Sequence, residues 1–422
     1  MAKTFREWNV EQSWLLPPSV MDFVPPDHLA HFVRDTVREQ LDLSEIVATY
    51  EQEERGYPPY HPVMMSALLL YAYCQGVYCS RRIARACQER VDFMAVTGLN
   101  RPDFRTVSDF RKRHLQALGG LFVQVLQLCR RAGLVSLGHV ALDGTKIKAN
   151  ASKHKAMSYG RMSESERRLR QEVRSWFDKA AALDAAEDRE YADRPGDELP
   201  DWVADKQRRI QKIREARAAL EAEAAAQGQA APKPKAQRNF TDTDSRIMKS
   251  GSDYVQAYNA QAAVDEKAQI IVAQDLSNNP SDAQQLEPMV GQIKANLGRQ
   301  AQELSADAGY CSEGNLALLA RRHVRPYIAT GRQRHGQRSA TSRTNRQLGA
   351  RVSTMRTRLA RAGRRSRYRL RKQLPEPVFG QIKQARGFRQ FLLRGLSKVK
   401  GEWSLICTVH NLLKLANAQR GT

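Results

Sequence analysis

Three acidic residues stand where folding could bring their carboxylates together. Asp143 ends a short apolar run that begins at His139, and Asp307 directly follows the strand-like run Glu303–Ala306. Glu376 opens a helical pattern. Carboxylate oxygens are hard donors that suit Mg²⁺ or Mn²⁺, and two such ions about 4 Å apart can activate a water or a 3′-hydroxyl and stabilise a leaving oxygen. Each acid alone is more typical of a surface carboxylate, so the prediction of phosphoryl transfer depends on the surrounding elements.

These elements follow a recognisable order. From His139 onward the periodicity predicts strands and helices in the order β-β-β-α-β-α-β-α, once residues 161–235 are set aside. This is the element order of the ribonuclease H fold, an α/β (α+β) fold with a mixed sheet. Its first and fourth strands are neighbours and its last helix crosses beside them. The three acids, separated by 163 and 68 intervening residues, are therefore expected to converge.

The rest of the sequence is predicted to be helical. Residues 1–135 have apolar positions at helical spacing and form an expected all-α N-terminal domain, with breaks predicted at Gly119-Gly120 and Gly133. Residues 161–235, rich in Ala, Glu, Arg and Lys, are expected to form a helical hairpin and linker inserted into a catalytic domain made of residues 136–160 and 236–422. Two short helices joined near residues 77–80 could form a helix-turn-helix that binds DNA; an ordinary bundle with a solvated basic face is the alternative. The candidate DNA contacts on the second helix are Arg81, Arg82 and Arg85.

Charge is the strongest global signal. The 422 residues include 68 Lys and Arg against 45 Asp and Glu, a formal net charge of +23. Such an excess favours a polyanionic partner, most simply nucleic acid, although an anionic membrane surface or a ribosome would also fit. Residues 321–372 carry 18 Lys and Arg and no Asp or Glu, which predicts a phosphodiester backbone passing over the acids rather than a disordered basic loop. Lys383, seven residues after Glu376, is expected on the same helix face, holding a phosphate near the metal.

Several classes are disfavoured. The sequence contains no run of about 18 apolar residues, so it predicts no membrane span. The N-terminal residues also lack the apolar segment of a secretory signal. The six cysteines contain no Cys-x-x-Cys pair and read as reduced hydrophobic residues of a cytoplasmic protein.

Several long blocks then resemble one family. The chain is similar, from about Arg6 to Leu415, to DDE transposases of bacterial insertion sequences. The blocks that carry the resemblance are DGTKIKANASKHKAMSY (143–159), NFTDTDSRIMK (239–249), YNAQAAVD (258–265), SADAGYCSEGNL (305–316), PYIATGRQRH (326–335), EPVFGQIKQARGFRQFLLRGLSKVKGEW (376–403) and HNLLKL (410–415).

The resemblance implies specific roles. It implies a ribonuclease H-like core with two divalent metals, Mg²⁺ or Mn²⁺, held by the triad Asp143, Asp307 and Glu376. The related Y-R-E-K signature falls on Tyr368, Arg371, Glu376 and Lys383, with four residues between its Arg and its Glu. Pro375 in that gap is expected to keep Leu374 extended and to prevent the helix from beginning earlier.

The implied function is a transposase. Such an enzyme binds the terminal inverted repeats of its element, cleaves the DNA ends and joins the 3′-hydroxyl to target DNA. Its expected partner is double-stranded DNA, bound by a homodimer in a synaptic complex on the bacterial nucleoid, with no membrane and no small-molecule cofactor. The expected DNA contacts in the basic segment and beyond are Arg364, Arg365, Arg367, Tyr368, Arg371 and Lys383. A nuclease of the same fold without strand transfer, or an inactive DNA-binding remnant, remain as alternatives.

Overall fold

A computed structural model describes residues 19–51, 58–187, 201–226, 228–251, 253–331, 349–362 and 366–420. Two compact units divide them. The first comprises the described residues up to Val125 together with those from Leu412 onward, and the second runs from Leu126 to Asn411.

The first unit is built from helices that follow a single 3-10 turn at Val20–Phe23. They are α1 (Leu29–Glu39), α2 (Ser44–Glu51), α3 (Pro62–Cys74), α4 (Ser80–Glu89), α5 (Val91–Thr97), α6 (Phe104–Arg113) and α7 (Leu115–Arg131), the last of which crosses the boundary between units. Helix α3 is apolar around its whole circumference, and its residues from Met65 to Tyr73 are buried. A helix with this pattern is stable only when other helices surround it, so α3 forms the centre of the unit.

Helix α4 follows α3 after a short turn that a buried arginine holds in place. Arg111, on α6, donates to the Tyr73 hydroxyl at 3.2 Å, to the Tyr78 carbonyl at 2.9 Å and to the Ser80 hydroxyl at 3.2 Å. These bonds link α6 to both sides of the α3–α4 turn. The turn therefore has a defined geometry, as a helix-turn-helix requires.

The predicted break at Gly119-Gly120 is wrong. Helix α7 runs through both glycines, and only Gly133, with φ +71°, follows its end. Leu118, Leu121 and Phe122 on either side of the pair are buried. Their burial outweighs the cost of glycine in a helix, about 1 kcal/mol per residue.

The second unit contains the sheet. Its elements before the helical insertion are β1 (His139–Lys148) and β2 (Ala156–Ser158); the insertion consists of α8 (Tyr159–Glu187) and α9 (Asp201–Ala226). The elements that follow are β3 (Gln237–Asn239), β4 (Arg246–Ser250), β5 (Asp253–Asp265), β6 (Ile271–Ser277), α10 (Leu286–Leu297), β7 (Glu303–Ala306), α11 (Glu313–Arg321), β8 (Arg325–Ile328), α12 (Ala350–Ala362), α13 (Leu370–Gln373), α14 (Pro375–Gly380) and α15 (Leu396–Arg420), whose residues from Leu412 onward belong to the first unit.

The main sheet has the order β4-β5-β1-β7-β8, and β6 pairs with β5. Strands β1 and β7 are parallel neighbours, as the ribonuclease H order predicts, and β7 is parallel to β8. Strand β5 lies antiparallel to β1 on its other side. The mixed α/β fold class with a helical N-terminal region is thereby confirmed.

Two further differences concern the ends of α14. Leu374 has φ −101° and ψ −62°, in the helical rather than the extended region, and the helix begins at Pro375. The backbone at Leu374 is held by its amide, which donates to Leu370 at 3.0 Å, and by burial of its side chain. After Gly380 the chain continues as a π-helical turn from Gln381 to Ala385. The seven-residue spacing between Glu376 and Lys383 therefore does not correspond to two regular α-helical turns.

Candidate active site

Asp143, on β1, and Asp307, directly after β7, occupy corresponding positions at the end of the pairing between these strands. The parallel register pairs Leu142 with Ala306, and each aspartate is the next residue along the chain. Strand β1 does not end at Asp143 but continues to Lys148, paired with β5 and bridged at Lys148 to Gln390. Asp143 therefore stands at the first position of β1 beyond its pairing with β7.

The charge of Asp143 is poorly compensated. Burial raises its pKa to about 6, the Arg371 guanidinium opposes that rise, and the charges of Asp307 and Asp282 add to it. The guanidinium lies 3.6 Å from the Asp143 carboxylate. Burial is thus the main cause of the raised pKa, and a divalent ion beside Asp143 would oppose it by holding the carboxylate ionised.

Asp307 is held in place by its own turn. Its carboxylate accepts a hydrogen bond of 2.8 Å from the Gly309 amide and caps the 3-10 turn Ala308–Tyr310. A Cβ on Gly309 would lie 3.0 Å from the Asp307 carboxylate and 3.3 Å from that of Asp282. The glycine leaves open the space between these two acids.

Asp282 belongs to this cluster, a role beside the metals that the sequence left open as the alternative to a turn or a helix cap. We expected it to serve a turn or a helix cap, but its carboxylate accepts hydrogen bonds from Asn259 at 2.6 Å and from Gln261 at 2.9 Å, both on β5. Lys146 lies 3.6 Å away on β1. The signal in the sequence was the pair of amides inside the YNAQAAVD block, whose alternation points both side chains to one face of β5, where the register sets them opposite Gly144 and Lys146.

The side-chain amides of Asn259 and Gln261 are held in place by a buried tyrosine. The Tyr310 hydroxyl, fully buried, donates to Gln261, and Gln261 donates to Asn259 at 3.0 Å. Gly144 permits this arrangement, because a Cβ there would lie 2.5 Å from the Gln261 amide nitrogen. Glycine at position 144, directly after Asp143, thus allows the side chains of β5 to approach β1 closely.

Three residues of the Y-R-E-K signature surround β1. Lys383 donates to the Thr145 hydroxyl and, at 2.8 Å, to the Lys146 carbonyl, and burial lowers its pKa to about 8. Tyr368 is half-buried; burial raises its pKa, and the nearby Arg371 guanidinium, which faces Asp143, opposes that rise. These contacts place two cations and a phenol within reach of a phosphate held at Asp143.

Glu376, the remaining residue of the signature, makes no comparable contact within the described residues. It is exposed in the first turn of α14, and its carboxylate has no hydrogen bond or ion pair to any residue that the structure describes. Across the described ranges, no three His, Cys, Asp or Glu side chains form a group that could hold a metal ion. The role of Glu376 as the third acid stays a prediction.

The acids on β1 and after β7 nevertheless fit a divalent ion. Mg²⁺ is commonly held by one or two carboxylates, with waters and substrate phosphates completing its shell. Asp143 and Asp307 supply two carboxylates of this kind, and the open space beside Gly309 leaves room for the remaining ligands.

The other predicted DNA contacts are distributed differently. Arg81, Arg82 and Arg85 lie exposed on α4, while Ile83, Ala84 and Cys87 on its other face are buried. Arg85 pairs with Glu89 at 2.8 Å, and Arg81 lies 5.0 Å from the ring of the part-exposed Phe104. The basic face that the sequence predicted on the second helix therefore exists.

In the basic segment, Arg367 is already engaged. It pairs with Glu266 at 2.5 Å and with Glu303 at 2.9 Å, so part of its charge is neutralised within the fold. Arg364 and Arg365 lie outside the described residues. The segment also contains α12, whose first turn is capped by Glu313 through the Val352 amide at 2.9 Å.

Comparison with known families agrees with the resemblance. Residues 18–113 match a family described as Transposase domain (DUF772), and residues 226–412 match one described as Transposase DDE domain. The second match contains Asp307 and Glu376 but begins after the strand that carries Asp143.

Two broader searches and the helix lengths complete the comparison. No curated protein and no solved structure matches the chain. None of the helices within the described ranges is long and apolar enough to cross a membrane. The two family matches confirm the similarity to DDE transposases of insertion sequences, and the chain thus carries a helical transposase domain followed by a transposase DDE domain.

Proposed function

We propose that this protein binds the terminal inverted repeats of its element, cleaves the DNA at their ends and joins the freed 3′-hydroxyl to target DNA. The transposase DDE domain supports a metal-dependent enzyme that cleaves DNA. The observation that carries the finer proposal is the register of β1 and β7, which sets Asp143 and Asp307 next to each other.

Asp143 and Asp307 would hold the divalent ions, with Glu376 as the proposed third ligand. When bound, the ions supply a polarised water or 3′-hydroxyl and neutralise charge on the leaving oxygen. Arg371 orients the scissile phosphate from the Asp143 side, since its guanidinium already faces that carboxylate. Lys383 and Lys146, both beside β1, hold the adjoining phosphates.

Cleavage of a duplex that ends in the element's own repeats tests the proposal. Asp307→Asn keeps the size of the side chain and removes the charge, so cleavage with Mg²⁺ should fall by at least about a hundredfold while binding to repeat DNA stays within about twofold. Asp275→Asn is the matched control, because this aspartate pairs at 2.8 Å with Lys400 and not with the cluster. Normal cleavage by Asp307→Asn would refute the carboxylate mechanism.

A pre-cut repeat end separates the proposal from its alternative. Given a free 3′-hydroxyl and a target plasmid, a transposase joins the two, whereas a nuclease of the same fold only degrades them. Two repeat ends in one isolated complex with two protein chains would support the proposed synaptic homodimer. A single chain per joined product would contradict that part of the proposal.

A further inference from the structure

A basic cavity lies at the root of the helical insertion. It has a volume of about 330 Å³ and is bordered by α9 and by the chain on either side of β2 and β3. His154, Lys155, Arg209 and Lys212 line its rim, and all four are exposed. No acidic residue is among the described residues that line it, although α8 and α9 carry many acids elsewhere. The local charge therefore favours an anionic ligand.

The floor of the cavity is apolar and firmly held. Phe240 and Met157 line it and are partly buried, packed against a core that includes Ile213 and Met162. The Phe240 amide donates to the Lys155 carbonyl at 3.0 Å, which fixes the aromatic residue beside the basic rim. An aromatic ring with one face packed and the other toward a cavity can stack against a planar group.

A nucleotide combines these two properties, with an anionic phosphate and a planar apolar base. The volume lies at the lower end of the range for small-ligand sites, about 300–1,000 Å³. A base within a duplex has both faces covered by its neighbours and cannot reach such a floor, whereas an unpaired base can. The cavity is thus suited to single-stranded rather than double-stranded nucleic acid.

We propose that this cavity binds a nucleotide of single-stranded DNA, with its phosphates on Lys155, Arg209 and Lys212 and its base against Phe240. The proposal rests on the proposed function only in that the protein acts on DNA. A nucleotide from a staggered or locally melted DNA end would thereby be retained at the root of the insertion, in addition to the contacts at Asp143 and Asp307.

The test measures binding of the full chain to a fluorescent oligothymidylate of about ten nucleotides, within the usual site size for single strands, and to a duplex of the same length. EDTA is present throughout and neither DNA contains repeat sequence, so the result does not depend on cleavage or on repeat recognition. The first variant combines Lys155→Gln, Arg209→Gln and Lys212→Gln. Its control combines Arg161→Gln, Arg167→Gln and Arg174→Gln, which remove the same charge from exposed positions of α8.

The cavity variant should lose tenfold or more of its affinity for the single strand. Its slope of log affinity against log salt should fall by about 2, since roughly 0.7 is expected per single-strand phosphate contact. The control variant should keep the parental slope within about 0.5. Equal losses in the two variants, or equal losses for single strand and duplex, would overturn the proposal, because either result describes a diffuse basic surface.

A second variant separates the floor from the rim. Phe240→Leu keeps an apolar side chain in the core and removes the ring, so the affinity for the single strand should fall about tenfold with the salt slope unchanged. An unchanged melting temperature verifies the fold. Unaltered affinity of this variant would exclude base stacking in the cavity and overturn the proposal.

Discussion

Replacing Asp143 with asparagine should stabilise the metal-free protein at alkaline pH. The folded protein raises the pKa of this carboxyl from its ordinary value of 3.8 to about 6, chiefly through burial. Between these two values the folded state binds more protons than the unfolded state, so the free energy of unfolding falls as pH rises from about 4 to 6. The ionised carboxylate therefore destabilises the fold by about 3 kcal/mol above pH 6.

The Asp143→Asn substitution removes this penalty and keeps the main hydrogen bond. The Asp143 carboxylate accepts from the Gly144 amide at 2.9 Å, and the amide oxygen of asparagine can accept the same bond. The variant should therefore match the parent near pH 4 and exceed it by up to about 3 kcal/mol at pH 8, roughly 3 °C in melting temperature for a chain of this size.

Thermal unfolding at several pH values in EDTA provides the measurement. Asp275→Asn, outside the cluster, serves as control and should differ from the parent by less than about 1 kcal/mol at every pH. Added Mg²⁺ should reverse the order at pH 8, because the parent gains the free energy of ion binding and the variant loses most of it. A variant less stable than the parent at pH 8 in EDTA would show that the Arg371 pair outweighs burial, and would refute the reasoning.

Three further changes test other parts of the site and the insertion. Gly144→Ala places a Cβ 2.5 Å from the Gln261 amide nitrogen, so it should lower the free energy of unfolding, measured by denaturant titration, by about 1–3 kcal/mol. An unchanged free energy of unfolding would contradict the close approach of β1 and β5. Cleavage that needs the Lys383 ammonium should decline as pH rises through its pKa of about 8, and Lys383→Arg should move that decline to higher pH; an identical pH–rate profile would exclude an ammonium role. Glu166→Gln removes the buried carboxylate that pairs with several arginines, among them Arg214 at 2.9 Å. Protease cleavage within α8 and α9 should therefore accelerate several-fold, and an unchanged cleavage rate would show that the hairpin does not depend on this cluster.

The periodicity of apolar residues and the order of the elements predicted the sheet, because the apolar pattern of a strand depends on which of its faces are buried. The sequence predicts a strand at Glu303–Ala306, and β7 has these bounds. The neighbouring strands β1 and β7 and the adjacency of Asp143 and Asp307 then follow from the handedness and connectivity of parallel units.

Features that depend on tertiary contacts could not be predicted in this way. The side chain of Asp282 is oriented by two amides from another strand, and a local sequence window shows only a turn. Helix α7 continues through two glycines because of apolar residues that pack beyond them, and Leu374 is helical because its own amide bonds Leu370. At Asp282 and in α7 contacts with other parts of the chain override intrinsic preference, and at Leu374 a hydrogen bond within one helical turn does so.

The short pairing of β2 with β3 has a consequence for how the chain can vary in length. Residues 156–158 pair with residues 239–237, so the chain enters and leaves the helical insertion at adjacent points. The entropy of closing a loop grows only with the logarithm of its length, about 0.6 kcal/mol for each doubling. Lengthening or shortening the helices between these two strands therefore leaves the register of the main sheet almost untouched. The helical insertion can therefore vary in length, while the geometry at Asp143 depends on residues outside the segment that the β2–β3 pairing closes.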